Sequence, residues 1–169
     1  MDNSISSNAT PLEQPEAVAT ARRRITIGLP HNTDASERRF PLTPEGVNRL
    51  IEKGYAVRIE HGAANSIHYS DNAYSRQGAE LTDRHGALSC DIVINMSTLT
   101  PADIKKMRRG AMLLTLLCPD KIHADSIIEM QRMAIVGVAV NNIADERGNR
   151  PFADILAEID GRAAIATAS

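Results

Sequence analysis

Two adjacent arginines, Arg38 and Arg39, lie in the stretch SERRFPLTPEGV at 36–47, just after the short apolar run ITIGLP at 25–30. A guanidinium presents a planar fork of N–H donors that matches a carboxylate, so an arginine in a strand-to-helix connection is a candidate anion grip. The alternative is that both are solvated loop charges. Two later loops carry further reactive side chains: Ser97 follows the apolar run DIVIN, and Cys118 follows AMLLTLL. Ser97 lacks the setting of a nucleophile elbow. Cys118 has Pro119 beside it and no histidine or helix start at hand to lower its pKa, which favours an inert buried thiol over a nucleophile. His31, His61, His68, His85 and His123 show no paired helical spacing, and Cys90 and Cys118 form no ligand pattern, so no metal site is expected. Neither GxGxxG nor GxxxxGK[ST] occurs, so the chain has no recognisable cradle for a nucleotide phosphate.

These residues need elements to position them. Thr43 can cap a helix, Pro44 suits its first position, Glu45 suits the positive end of its dipole, and Gly54 stops it. Val47, Leu50 and Ile51 give that helix an apolar face. YAVRIE alternates as a strand, whereas 65–82 reads as irregular apart from a short helix at 71–77, with Asp71 as an ordinary cap. A second short helix is expected at 84–88. DIVIN is almost continuously apolar and reads as a strand buried on both faces. Thr100, Pro101 and Asp103 write another helix start, with Ile104 and Met107 inward. The run at 111–117 reads as a central strand, 124–132 as a helix with Ile127 and Ile128 inward, and 134–138 as a strand. After a polar loop at 141–150, a last helix from Phe152 carries an apolar stripe that is still running at Ser169, which suggests a truncated end.

Five strands separated by helices predict an α/β fold: a doubly wound parallel sheet of about five strands with helices on both faces, flavodoxin- or Rossmann-like but without the phosphate motif. The loops after Pro30, Asn95 and Leu117 then gather at one sheet edge, where such sheets bind ligands, and bring Arg39, Ser97 and Cys118 together. With 169 residues and 43% apolar content the chain holds one core, in a domain spanning 21–169. Residues 1–20 have almost no bulky apolar side chains and predict a flexible tail. A net charge of −2 argues against nucleic-acid binding by bulk electrostatics. Two cysteines, no signal sequence and no membrane-length apolar run predict a reducing, cytoplasmic setting.

IGLP, ERRFPLTPEGV, KGYAVRIEHGA, YSRQGAEL, DIVI, RRGAMLLTLL and EIDGRA occur in this order between about Arg24 and Ser169. With these motifs the sequence resembles the N-terminal domain shared by alanine dehydrogenases and the α subunits of proton-translocating NAD(P) transhydrogenases. The resemblance implies a two-domain oxidoreductase, homo-oligomeric, whose separate C-terminal Rossmann domain binds NAD or NADP. In the dehydrogenase branch it implies a small carboxylate substrate held by an arginine at Arg39, with a lysine and a histidine acting beside it.

Here the chain departs from the family. Its K-V-K motif falls on Asn95, Met96 and Ser97, so the substrate lysine becomes Ser97, and the histidine becomes Cys118. Serine brings no positive charge and a thiol does not titrate like imidazole; loss of an acid–base group typically costs ~10²- to 10⁴-fold in rate. No catalytic residue is therefore assigned within this chain. The Cys118-Pro119 pair looks more like the transhydrogenase branch, where the domain packs beside the cofactor domain. That branch commonly keeps the lysine that is Asn95 here. Three expectations stand: a domain similar to that of alanine dehydrogenase, a transhydrogenase-like domain for hydride transfer between NAD(H) and NADP(H), or a non-catalytic scaffold of the same fold. The isolated chain is expected to be inactive under each.

Overall fold

The structure, a computed structural model, describes residues 23–34, 36–116 and 123–167. The expected tail at 1–20 and the position of Cys118 lie outside the described residues. Strands β1 (Thr26–Leu29), β2 (Ala56–Glu60), β3 (Glu80–Thr82), β4 (Ile92–Asn95), β5 (Met112–Thr115) and β6 (Val136–Ala139) form one sheet in the order β3-β2-β1-β4-β5-β6. Every neighbouring pair is parallel. Parallel neighbours require crossovers, and the intervening segments supply helices α1 (Pro44–Glu52), α2 (Asp71–Ser75), α3 (Arg84–Leu88), α4 (Pro101–Ile104) and α5 (Ala124–Arg132). A final helix, α6 (Pro151–Thr167), follows β6. The order reverses direction between β1 and β4, and the crevice at that reversal is where open α/β sheets take ligands.

Local chemistry sets the elements much as the sequence predicts. The Thr43 hydroxyl accepts from the Gly46 N–H at 3.3 Å, with Pro44 in the first turn of α1. At the other end Gly54 adopts φ +92°, and its N–H and that of Tyr55 donate to the carbonyls of Ile51 and Leu50 at 2.9 and 3.1 Å. This paired closure satisfies carbonyls that the helix end leaves over. Helix α5 ends with the same pair of bonds, from Ala134 to Gln131 and from Ile135 to Met130. There the left-handed residue is Ala134, at φ +52°. A Cβ in this region is strained, so Ala134→Gly is expected to leave stability unchanged or raise it by up to about 1 kcal/mol, measured as a shift in the urea midpoint. A loss of more than that would mean the turn is held by contacts of the methyl group.

The core has two parts. Ile27, Leu29, Val47, Val57, Ile59 and Tyr74 are packed together around β1 and β2, while Leu88, Val93, Leu99, Ile104, Met107 and Leu113 form a second cluster around β4 and β5. In β4 only Val93 and Asn95 are fully buried; Ile92 and Ile94 are half-buried.

Three expectations change. The sheet has a sixth strand, the three-residue edge strand β3, whose single apolar residue Leu81 gives too little alternation to read. Asp71 does not cap α2: it accepts from the Gly62 N–H at 2.9 Å and pairs with His61 at 3.2 Å, tying down the turn after β2. Ile127 and Ile128 point outward, 46% and 50% exposed, because α5 turns Ser126, Met130 and Met133 to the core. The Ser126 hydroxyl makes this possible by donating to the Leu99 carbonyl at 3.0 Å. The stripe on α6 is half open, with Phe152, Ile155 and Ile159 each about half exposed.

Candidate functional site

The loop from β1 to α1 is shaped by side chains bonding to its own backbone. Asn32, buried at its start, donates to the carbonyls of Arg39 at 2.7 Å and Glu37 at 3.3 Å, drawing the loop into a ring. Asp34 accepts from the Ser36 N–H at 2.9 Å, and the Glu37 N–H donates to the Asp34 carbonyl at 3.0 Å. Downstream, the buried Tyr74 donates to the Leu42 carbonyl at 2.7 Å while its ring meets Phe40 and Tyr69 edge to face. Burial, foremost, pushes its hydroxyl pKa up to about 12, so it remains a donor at any physiological pH.

Arg39 is thereby fixed at the crevice, where it helps line a cavity of about 620 Å³. Its guanidinium is already engaged. Nε and Nη2 donate to the two oxygens of Glu37 at 2.8 and 2.6 Å, a bidentate pair, and the Arg39 N–H donates to the same carboxylate at 2.9 Å. On the other edge Nη1 faces both oxygens of Asp160 on α6, each at 3.4 Å. Arg38, by contrast, is exposed, in keeping with a solvated charge. Most of the remaining wall is apolar, with Ile94 and Leu114 from the sheet and Phe152, Ile155 and Ile159 from α6, while Asn95 and Thr115 are among its polar members.

The loop after β4 meets the same crevice. Ser97 is buried, and its hydroxyl accepts from the Thr33 N–H at 3.3 Å. The Asn95 amide donates to the Ser97 carbonyl at 2.7 Å and to its hydroxyl at 3.1 Å, and Thr115 of β5 donates to the same carbonyl at 3.2 Å. Asn95 and Ser97 thus shape the loop through each other. The Asn95 Oδ1 has no partner among the described residues. A second cavity, of about 490 Å³, lies beside them and is lined by Thr33, Glu37, Ser97, Thr98 and His123. The sheet therefore brings Arg39 and the 95–97 loop to one edge, while Cys118 falls outside the described residues.

Behind the crevice stands a charged cluster that the sequence does not reveal. Arg84, at the start of α3, donates from Nε and Nη2 to both oxygens of the buried Asp103 at 2.9 and 2.7 Å. Its Nη1 donates to Glu60 at 3.0 Å and to the His31 carbonyl at 3.1 Å, and Glu60 in turn accepts from the His31 N–H at 2.7 Å. Hydrogen bonding from Arg84, above all, holds the Asp103 carboxyl below the usual carboxylate range. The cluster pins the end of β1 to β2, α3 and α4. Glu37, Asp160, Arg84 and Asp103 escape sequence reasoning because their partners are distant in the chain, except Glu37, whose place two residues before Arg39 is a local signal.

Metal ligands do not gather: no group of three His, Cys, Asp or Glu side chains could hold an ion among the described residues. Cys90 is a free, buried thiol, and burial, foremost, pushes its pKa up, which disfavours the thiolate. No helix is long and apolar enough to cross a membrane among the described residues. The strand order is that of dinucleotide-binding sheets, and the β1–α1 connection contains no glycine of the kind their phosphate-binding turns use.

The solved structure of an L-alanine dehydrogenase shares this fold with a TM-score of 0.69 at 24% identity, over 75% of this chain and 35% of that one. A transhydrogenase from Sinorhizobium meliloti does so with a TM-score of 0.65 at 21% identity, over 72% and 36%. In sequence, the chain is 27% identical over 143 residues to the alanine dehydrogenase of Bacillus subtilis, covering 82% of this chain and 36% of that protein. Against the alanine dehydrogenase of Staphylococcus epidermidis it is 24% identical over 139 residues, 80% and 37%. The chain spans little more than a third of the length of these relatives. Residues 28–159 match the family model described as alanine dehydrogenase/PNT, N-terminal domain, and with the fold and the order of motifs in agreement, the chain belongs to that family.

Proposed function

We propose that the chain is the substrate-side domain of an NAD(P)-dependent oxidoreductase similar to alanine dehydrogenase, in which Arg39 receives a small carboxylate. The observation that carries this is the place of Arg39: at the strand-order reversal, on the wall of a cavity large enough for a small acid. In this reading 21–169 is one domain after a flexible 1–20 tail, and the nucleotide is held by a separate C-terminal domain, because this chain lacks the glycine turn. A homo-oligomer in the cytoplasm goes with the same proposal.

The residues at 95–97 define the weakness of the site. Ser97 supplies no cation to polarise a carbonyl, and its hydroxyl is committed to Thr33 and Asn95. That favours a second reading, a non-catalytic scaffold or a transhydrogenase-like domain packing beside a nucleotide domain. Assays of the protein carrying its nucleotide-binding partner separate them: alanine oxidation, pyruvate reduction with ammonium, and hydride exchange between the two nicotinamide nucleotides. Under the first reading Ser97→Lys raises pyruvate reduction roughly 10²-fold or more, the low end of what a restored acid–base or electrophilic group contributes. No gain from Ser97→Lys, even with His restored at 118, favours the scaffold. Hydride exchange alone favours the transhydrogenase-like domain.

A further inference from the structure

The two edges of the Arg39 guanidinium are held very differently. Glu37 sits on the Nε/Nη2 edge at 2.8 and 2.6 Å, is itself nearly buried, and is fixed by the same loop. Asp160 faces the Nη1 edge at 3.4 Å through both oxygens, long for a charge-assisted bond, and its side chain is 66% exposed. Two carboxylates, Glu37 and Asp160, thus flank the one guanidinium. The inner carboxylate is built in, whereas the outer one is loosely seated and can swing into solvent.

We propose that Asp160 is a specificity-determining residue: its carboxylate occupies the edge of Arg39 that a ligand carboxylate needs, so an anionic ligand binds only by displacing it. This rests on Arg39 being the carboxylate grip. The consequence is selection by charge. A simple monoanion must break the Asp160 contact and then sit close to the displaced carboxylate, whereas a ligand with a cationic group beside its carboxylate offers Asp160 a new partner. Helix α6, which also supplies apolar wall to the cavity, reaches the guanidinium through Asp160, and the grip opens or closes without movement of the sheet.

Pyruvate, titrated into the full chain and followed by calorimetry and by the ¹⁵N signals of the arginine side chains, tests this. Asp160→Asn is expected to tighten pyruvate binding roughly threefold to tenfold at low salt, the size of a weak exposed ion pair plus relief of like-charge repulsion. The gain should shrink at high salt, where exposed charges are screened. Asp160→Lys should tighten binding further, and Arg39→Gln should abolish both gains. Because Asp160 is exposed, its variants keep the fold, which a thermal melt checks. If Arg39→Gln abolishes pyruvate binding but Asp160→Asn leaves it unchanged, Asp160 does not compete and the inference falls while Arg39 remains the grip. If wild type and Asp160→Asn both bind no better than Arg39→Gln, the carboxylate grip itself is wrong and the inference falls with it.

Discussion

Gly28→Ala is expected to destabilise the protein by about 3 kcal/mol or more, near or beyond the upper end for forcing an extra methyl into a packed core. Gly28 lies in β1, paired on both sides, and a Cβ there would stand 1.8 Å from the Ala87 carbonyl oxygen and 2.8 Å from its carbon. Both atoms are backbone, so no rotamer change relieves the clash; α3 as a whole must move away from the sheet. That helix also carries Arg84, so the damage reaches the charged cluster. Urea unfolding followed by far-UV circular dichroism measures the loss. A change under 1 kcal/mol would show that α3 yields easily, and that its close seat on β1 is not needed for stability.

Arg84→Ala is the second large effect. Removing one partner of a buried pair strands the other charge, at about 3–5 kcal/mol in typical cases; with Arg84 about a quarter exposed, a value near 3 kcal/mol is expected. The groups left behind are Glu60 and the almost fully buried Asp103, which keeps, among the described residues, only the Thr100 hydroxyl at 3.0 Å and the more exposed Lys106 at 3.6 Å. The pH dependence gives an independent check. In the wild type the Asp103 carboxyl titrates below its ordinary value near 4, so it binds its proton less readily folded than unfolded. The stability it contributes is therefore complete above that ordinary value and is lost as pH falls through the lower folded one. Arg84→Ala removes the main cause of the lowering, so its stability should fall less steeply with acid while lying lower at neutral pH. Parallel acid limbs for the two proteins would mean that Arg84 is not what holds Asp103 ionised.

Much of this frame is legible in the sequence because the signals are local. Thr43, Pro44 and Gly54 write α1 in capping chemistry, Thr100 and Pro101 write α4, and the apolar runs give five of the six strands. Strand β3 is lost because three residues cannot show a period. The inward choice of Ile127 and Ile128 fails for a different reason: hydrophobicity points to them, but the helix is oriented by the Ser126 hydroxyl and the Leu99 carbonyl, a tertiary bond that propensity cannot see. At the site, loop position marks Arg38, Arg39, Ser97 and Cys118, and family resemblance singles out Arg39 and adds Asn95. The charge balance around Arg39 is legible only in three dimensions, because Asp160 is 121 residues away.

The sheet is not uniformly bonded along its width. β1 shares four register pairs with β2, as β4 does with β5, but β1 and β4 share only Ile27 with Ile92 and Gly28 with Val93. The joint is nonetheless crossed by the core, because Ile92 and Ile94 of β4 pack against the cluster around β1 and β2. It is stapled at one end by Asp91, which accepts from the N–H and hydroxyl of Thr26 at 3.0 and 2.9 Å, and at the other by Ser97 accepting from Thr33 at 3.3 Å. The joint thus relies on side-chain ties at its two ends as well as on its short ladder. The firmer staple is at the closed end, and the looser one is at the crevice where Arg39 sits. The crevice beside Arg39 is thus spanned by loop side chains and not by the sheet ladder, so its width is set by Thr33 against Ser97 and the Thr98 carbonyl.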